Sequence, residues 1–273
     1  MLKRLKEDAQ VDRIKEIYEA FFIFATMWSF GASLDEDKVS FSNTIKSLVT
    51  GNLKFPEAGQ VFDYFYDVID GVWKHWDEMV NDFNKDFEGL FNNLVVPTAD
   101  TTRQTFLLDI HVLAKKGMIY VGAAGTGKTT VIANYFTTID KDSIITSSMN
   151  FNSYTDSAAL QVVIESSVDK RAGRTFGPPP SKTLIYFLDD MNMPYLDKYG
   201  TQSPICLIRQ IIDYGVVYDR DHLEEKKYLV DIMFTGCMNP KSGSFIIDLR
   251  LTRHSTLISC LVSEREILKT IYF

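Results

Sequence analysis

MIYVGAAGTGKTT, residues 118–130, joins an apolar run with strand character to a glycine-rich turn and then to sequence suited to a helix. Gly122, Ala123, Ala124, Gly125, Thr126, Gly127, Lys128 and Thr129 match the pattern G-x-x-x-x-G-K-[ST] in full, with Thr130 opening the helix behind them. Glycines let backbone N–H groups curl around phosphate oxygens, and a helix starting at Lys128 aims its positive end at them. Lys128 then reaches the β- and γ-phosphates, and the Thr129 hydroxyl ligates Mg²⁺. A chance glycine-rich turn is the competing reading, and the strand–loop–helix setting disfavours it.

Downstream, the apolar strand Leu184–Leu188 ends in Asp189 and Asp190, the Walker B arrangement. Asp189 is expected to hold the magnesium and Asp190 to orient or deprotonate the attacking water. Two acids after an apolar strand are common in turns, so the upstream loop is what gives this pair its meaning. The interval between the motifs has room for helix, strand and helix, which places an extra strand between the two. No Asn/Thr-Lys-x-Asp guanine reader follows, so ATP is favoured over GTP. A further strand, Ile232–Gly236, runs into Cys237-Met238-Asn239-Pro240. Its amide makes Asn239 a candidate sensor of the γ-phosphate, with an Asn-Pro turn as the plainer alternative. Arg253, in DLRLTRH, is the candidate arginine finger for a neighbouring module's ATP; a surface arginine paired with acids is the equal alternative.

These motifs lie in a chain of 273 residues, 45% hydrophobic, with 36 acidic and 29 basic residues and a formal net charge of −7. That is enough apolar sequence for a substantial core, and the mixed charge offers no basic surface for nucleic acid. Three separated cysteines form no CxxC pair and read as reduced packing residues. The four histidines show no metal-ligand spacing. The N-terminal MLKRLKEDAQ is too charged for a signal peptide, which predicts a cytosolic chain. Ala20–Ala32 is too short for the roughly 20 apolar residues of a membrane span, so no membrane role is expected.

Helical spacing of Ile14, Ile17, Tyr18, Phe21, Phe22, Ala25 and Trp28 predicts one long helix over 11–30, and 33–47 continues as a polar helical stretch. Residues 50–59 are turn-rich, and 61–94 suggest irregular strands and loops. From Val95 the pattern alternates short β-rich runs (118–121, 143–147, 183–188, 232–236, 256–260) with helices (101–114, 129–138, 157–170, 203–214). This predicts an α/β fold with a five-stranded parallel sheet and helices on both faces, preceded by a mainly helical segment. Residues 171–182 read as a loop and 216–227 as a hairpin.

LVVPTADTTRQTFLLDIHVLAKKGMIYVGAAGTG (94–127), FGPPP (176–180), LDDMNMP (188–194) and CMNPKSGSF (237–245) together resemble the third AAA+ module of dynein heavy chains. FIFATMWSFGASLDED (22–37) resembles the end of the second module, so the similarity covers nearly the whole chain. The form of the Asp-Asp-Met-Asn-Met-Pro run is similar to the axonemal branch. The resemblance implies three parts: 1–50 from the preceding module's small subdomain, 51–94 as a connection, and 95–273 as an AAA+ large subdomain without its helical lid. It implies an ATP/ADP and Mg²⁺ site with Val96, Pro97 and Thr98 against the adenine, and an inserted loop at Phe176–Pro180 facing the linker arm of the ring. Neighbouring AAA+ modules, intermediate and light chains and microtubules are the partners it implies, in the cytoplasm and the axoneme of a cilium or flagellum.

Three departures bear on catalysis. Asp190 stands where AAA+ hydrolases most often carry Glu, one methylene longer, which suits slow hydrolysis in a regulatory site. Leu249 replaces a usual proline, and LVSERE (261–266) replaces a usual Phe-Pro continuation, both beside the candidate finger. The chain is also expected to stop before the lid and its second sensor arginine. A structural nucleotide holder without turnover, or an inactive fragment, remains open beside the slow hydrolase.

Overall fold

β7 (Thr183–Asp189) is an apolar strand, buried along its middle five residues, with a neighbouring strand on each side in a five-stranded sheet. The computed structural model describes residues 14–34, 36–82, 95–239, 247–262 and 265–272. These divide into two compact units, residues up to Ile110 with the C-terminal helix, and His111–Val262.

The first unit holds α1 (Ile14–Phe30), α2 (Lys38–Leu48), the antiparallel hairpin β1 (Tyr64–Asp67) and β2 (Val72–His75), and α8 (Arg265–Tyr272). One-turn 3₁₀ helices at Gly51–Leu53, Val61–Asp63 and Trp76–Met79 link them. Its core is aromatic. Trp28 meets Phe62 edge-on with ring centroids 5.4 Å apart, and Phe106 of α3 (Ala99–Leu113) meets Trp76 at 5.2 Å. The Lys46 ammonium donates to four successive carbonyls, Pro56 to Gly59, at 2.8–3.0 Å and so pins the turn after α2. Residues 61–82, expected as irregular, thus contain an ordered hairpin. Residues 1–13 and 83–94, the start of the expected helix and the end of the expected connection, lie outside the described residues.

The second unit is built on a five-stranded parallel sheet in the order β11 (Ser255–Ser259), β3 (Gly117–Val121), β10 (Ile232–Met238), β7, β4 (Ile144–Asn150). Parallel strands covered on both faces carry continuous apolar runs, which is why β7 reads TLIYFLD. Leu184, Tyr186 and Leu188 pack in one cluster with Leu160 and Ile164 of α5 (Ser157–Ser166) and Ile205, Ile208 and Ile211 of α6 (Ser203–Tyr214). Side chains alternate along a strand, so Phe187 turns to the other face and meets Phe136 of α4 (Lys128–Thr138). A short helix, α7 (Leu249–Thr252), leads into β11.

The expected helix over 157–170 and loop over 171–182 need correction. α5 ends at Ser166, and β5 (Asp169–Ala172) and β6 (Thr175–Gly177) form a hairpin. β6 then pairs with β9 (Lys226–Leu229), which pairs with β8 (Val216–Tyr218), giving a second sheet of four strands. The hairpin expected over 216–227 is present in it. Arg171 secures this insert by donating to the Pro178 carbonyl at 2.7 and 2.9 Å and pairing with Asp231 at 2.7 Å.

Candidate functional site

The loop between β3 and α4 turns on two left-handed glycines, Gly125 (φ 81°) and Gly127 (φ 79°), a backbone conformation that side-chain-bearing residues rarely adopt. Gly127 is also the residue from which α4 starts. Lys128 is buried. Its ammonium donates to the carbonyls of Gly122 (2.9 Å) and Ala123 (2.7 Å) and to the Thr126 hydroxyl (3.3 Å), so the lysine lies folded onto its own loop. Ala123 and Ala124 are exposed along the loop, and Thr129 and Thr130 on the first turn of α4.

Parallel register brings the second half of the site to the same strand ends. β10 pairs with β3 through Met238 and Val121, and with β7 through Gly236 and Leu188. Asp189 therefore ends β7 next to Cys237. The Thr129 hydroxyl donates to Asp189 Oδ2 at 2.9 Å, while the Cys237 thiol and the Asp190 N–H donate to Oδ1. Burial, and next the donation to Asp189, push the Cys237 thiol up to about 12, so it stays a neutral donor. Cys237 is a packing residue, as expected, and also an orienter of Asp189. Sequence reasoning missed that second part, and the signal for it was its position two residues before Asn239 on a strand beside Walker B.

Asp190 sits in the left-handed region at φ 52°. Loss of water around its carboxylate, then the charge of Asp189, raise its pKa, with Lys128 acting in the opposite sense. Asn239 lies one residue past β10, and both its backbone groups bond to the side chain of Asn192: Nδ2 donates to the Asn239 carbonyl at 2.9 Å and Oδ1 accepts from its N–H at 3.2 Å.

Lys128, Thr129, Asp189, Asp190 and Asn239 thus come together at one edge of the sheet. Arg253 pairs with Asp213 at 3.0 Å, and His254 pairs with the same carboxylate at 2.9 Å. Pro240 to Phe245 of the CMNPKSGSF run, Ile246 after it, and Ser263 and Glu264 of LVSERE lie outside the described residues. Val96, Pro97 and Thr98 fall in the first unit, where Thr98 accepts from the Thr101 N–H (3.2 Å) at the start of α3. Their placement against an adenine is part of the proposal below.

Hard oxygen donors at Thr129 and Asp189 suit a magnesium ion, which is held by few protein ligands alongside phosphate oxygens and water. Among the described residues no group of three or more His, Cys, Asp or Glu is placed to hold a metal ion. No described helix is long and apolar enough to cross a membrane.

Comparison with known proteins matches residues 83–262 to the P-loop containing dynein motor region and residues 1–78 to the dynein heavy chain AAA lid domain. The chain is 38% identical over 272 residues to dynein axonemal heavy chain 9 of Homo sapiens and 40% identical over 272 residues to the ciliary dynein beta chain of Tripneustes gratilla. Each match covers 97% of this chain and 6% of the relative. The flagellar outer-arm dynein beta chain of Chlamydomonas reinhardtii is 37% identical over 263 residues, 95% of this chain and 6% of its own length. The chain spans only that small share of the curated relatives it matches. It belongs to the dynein heavy chain family, within which it carries the AAA motor region of the axonemal dyneins.

Proposed function

We propose that this segment is the third AAA+ module of a ciliary or flagellar dynein motor ring, together with the end of the second, and that it binds ATP or ADP with Mg²⁺ as a regulatory site of slow hydrolysis. The observation that carries this reading is the Thr129–Asp189 hydrogen bond, which joins the phosphate loop to the Walker B strand at the point where a metal would sit. Thr129 and Asp189 hold the magnesium, which neutralises phosphate charge when bound. Residues 122–130 cradle the phosphates, with Lys128 leaving its loop carbonyls for the β- and γ-oxygens. Val96, Pro97 and Thr98 line the adenine. Asp190 accepts the proton of the attacking water, Asn239 orients that water and the γ-phosphate, and Arg253 leaves Asp213 to act on a neighbouring module's nucleotide.

The substitution of Asp for Glu at 190 supports slow turnover, because the shorter side chain stands further from the water it must polarise. In the motor, this nucleotide state is passed to the neighbouring modules, and through the full heavy chain, with its intermediate and light chains, to microtubules. The relatives named axonemal, ciliary and flagellar support an axonemal location. The test is single-turnover phosphate release from the heavy chain with its other nucleotide sites inactivated. Slow release that Asp190→Glu accelerates is the expected result. No release from either form would instead make this module a structural nucleotide holder.

A further inference from the structure

Asn192, two residues past Asp190, is 2% exposed, and its side-chain amide both donates to and accepts from the backbone of a single residue, Asn239. A buried amide that lost these partners would carry the full cost of desolvation, so the pair is strongly held. The segment that bears Asn192 is itself fixed. Gln202, 4% exposed, donates to the carbonyls of Asn192 (3.3 Å) and Pro194 (2.9 Å). The Met191 N–H reaches the Cys237 carbonyl at 3.1 Å, and the Met193 N–H closes a turn on the Asp190 carbonyl at 2.9 Å. Asn239 stands just beyond the last ladder residue of β10, where the sheet no longer dictates its φ and ψ. Two hydrogen bonds with the Asn192 side chain constrain it there.

We infer that Asn192 is the positioning residue for the γ-phosphate sensor: it sets the backbone of Asn239, and hence the aim of its side chain, and ties it to the turn that carries Asp190. This inference rests on the reading of Asn239 as the sensor. It makes one rigid body of the sensor and the Asp190 turn, so that a displacement of Asn239 by the terminal phosphate is carried to the carboxylate that handles the water. Because Asn192 itself contacts no phosphate in this scheme, its loss affects recognition of the third phosphate and spares the first two.

The experiment compares equilibrium affinities of the full chain for ADP and for a non-hydrolysable ATP analogue, both with Mg²⁺, in wild type, Asn192→Ala and Asn239→Ala. Asn192→Ala is expected to cut the preference for the triphosphate by about tenfold while ADP affinity stays within about twofold. Asn239→Ala is expected to do the same. Should Asn192→Ala fail to fold, as judged by its thermal transition without nucleotide, Asn192→Asp takes its place. That variant keeps the acceptor for the Asn239 N–H and sets an oxygen against the Asn239 carbonyl, and it is expected to shift the preference in the same direction. If Asn239→Ala lowers the preference and the Asn192 variants do not, or if they weaken both nucleotides equally, the inference is overturned. If Asn239→Ala leaves the preference intact, the sensor reading itself fails and takes the inference with it.

Discussion

Thr129 and Asp189, 60 positions apart in sequence, are joined by a 2.9 Å hydrogen bond from the hydroxyl to Oδ2. The two proposed magnesium ligands are therefore held together by the fold before any ion is considered. Thr129→Ala removes one ligand and leaves the loop glycines and Lys128 in place. Nucleotide affinity measured with Mg²⁺ and again with excess chelator should show a clear magnesium gain in the wild type, and a gain smaller by about tenfold in the variant. An equal gain in both would remove Thr129 from the metal site.

Asp190 adopts φ 52°, where Asp and Asn are tolerated and longer side chains less so. Replacing it with Glu should lower stability by about 1 kcal/mol in urea unfolding, and replacing it with Gly should not lower it. A Glu variant as stable as the wild type would show that the backbone here does not favour the shorter acid.

The insert sheet carries its own pH dependence. The Lys227 ammonium, at 2.8 Å, and then the N–H groups of Asp221 and His222 hold the Asp219 carboxyl down to about 2, from an ordinary value of 3.8. A depressed acid contributes its stability above the unfolded value and loses it as pH falls through the folded one. Asp219→Asn should therefore be less stable than the wild type at neutral pH, with the gap closing as urea titrations are repeated from pH 3.8 towards about 2. A gap that stays constant over that window would show that Asp219 is not held by these partners.

Much of the site was legible because its chemistry is written locally. The glycines at 125 and 127, Lys128 and Thr129 announce a phosphate loop through the backbone freedom and charge they bring, and the apolar run ending at Asp189 announces a strand covered on both faces. What escaped depends on partners far along the chain. Residues 169–177 look like helix end and loop, and become strand because β6 pairs with β9, some fifty residues later in sequence. Cys237 reads as a small apolar filler until the β7–β10 register sets its thiol against Asp189. Asn192 has no signal in its neighbours, since its role comes from Asn239, 47 positions downstream.

The most direct test of nucleotide binding at the 122–130 loop is a calorimetric titration of the chain with Mg·ADP and Mg·ATP, wild type against Lys128→Ala. The left-handed backbone of Gly125 and Gly127, on which the loop turns, needs no side chain at 128. The variant is expected to fold as the wild type does and to bind at least about tenfold more weakly, with the larger loss for ATP, whose γ-phosphate the ammonium also reaches. Undiminished affinity in a folded Lys128→Ala protein would contradict the account.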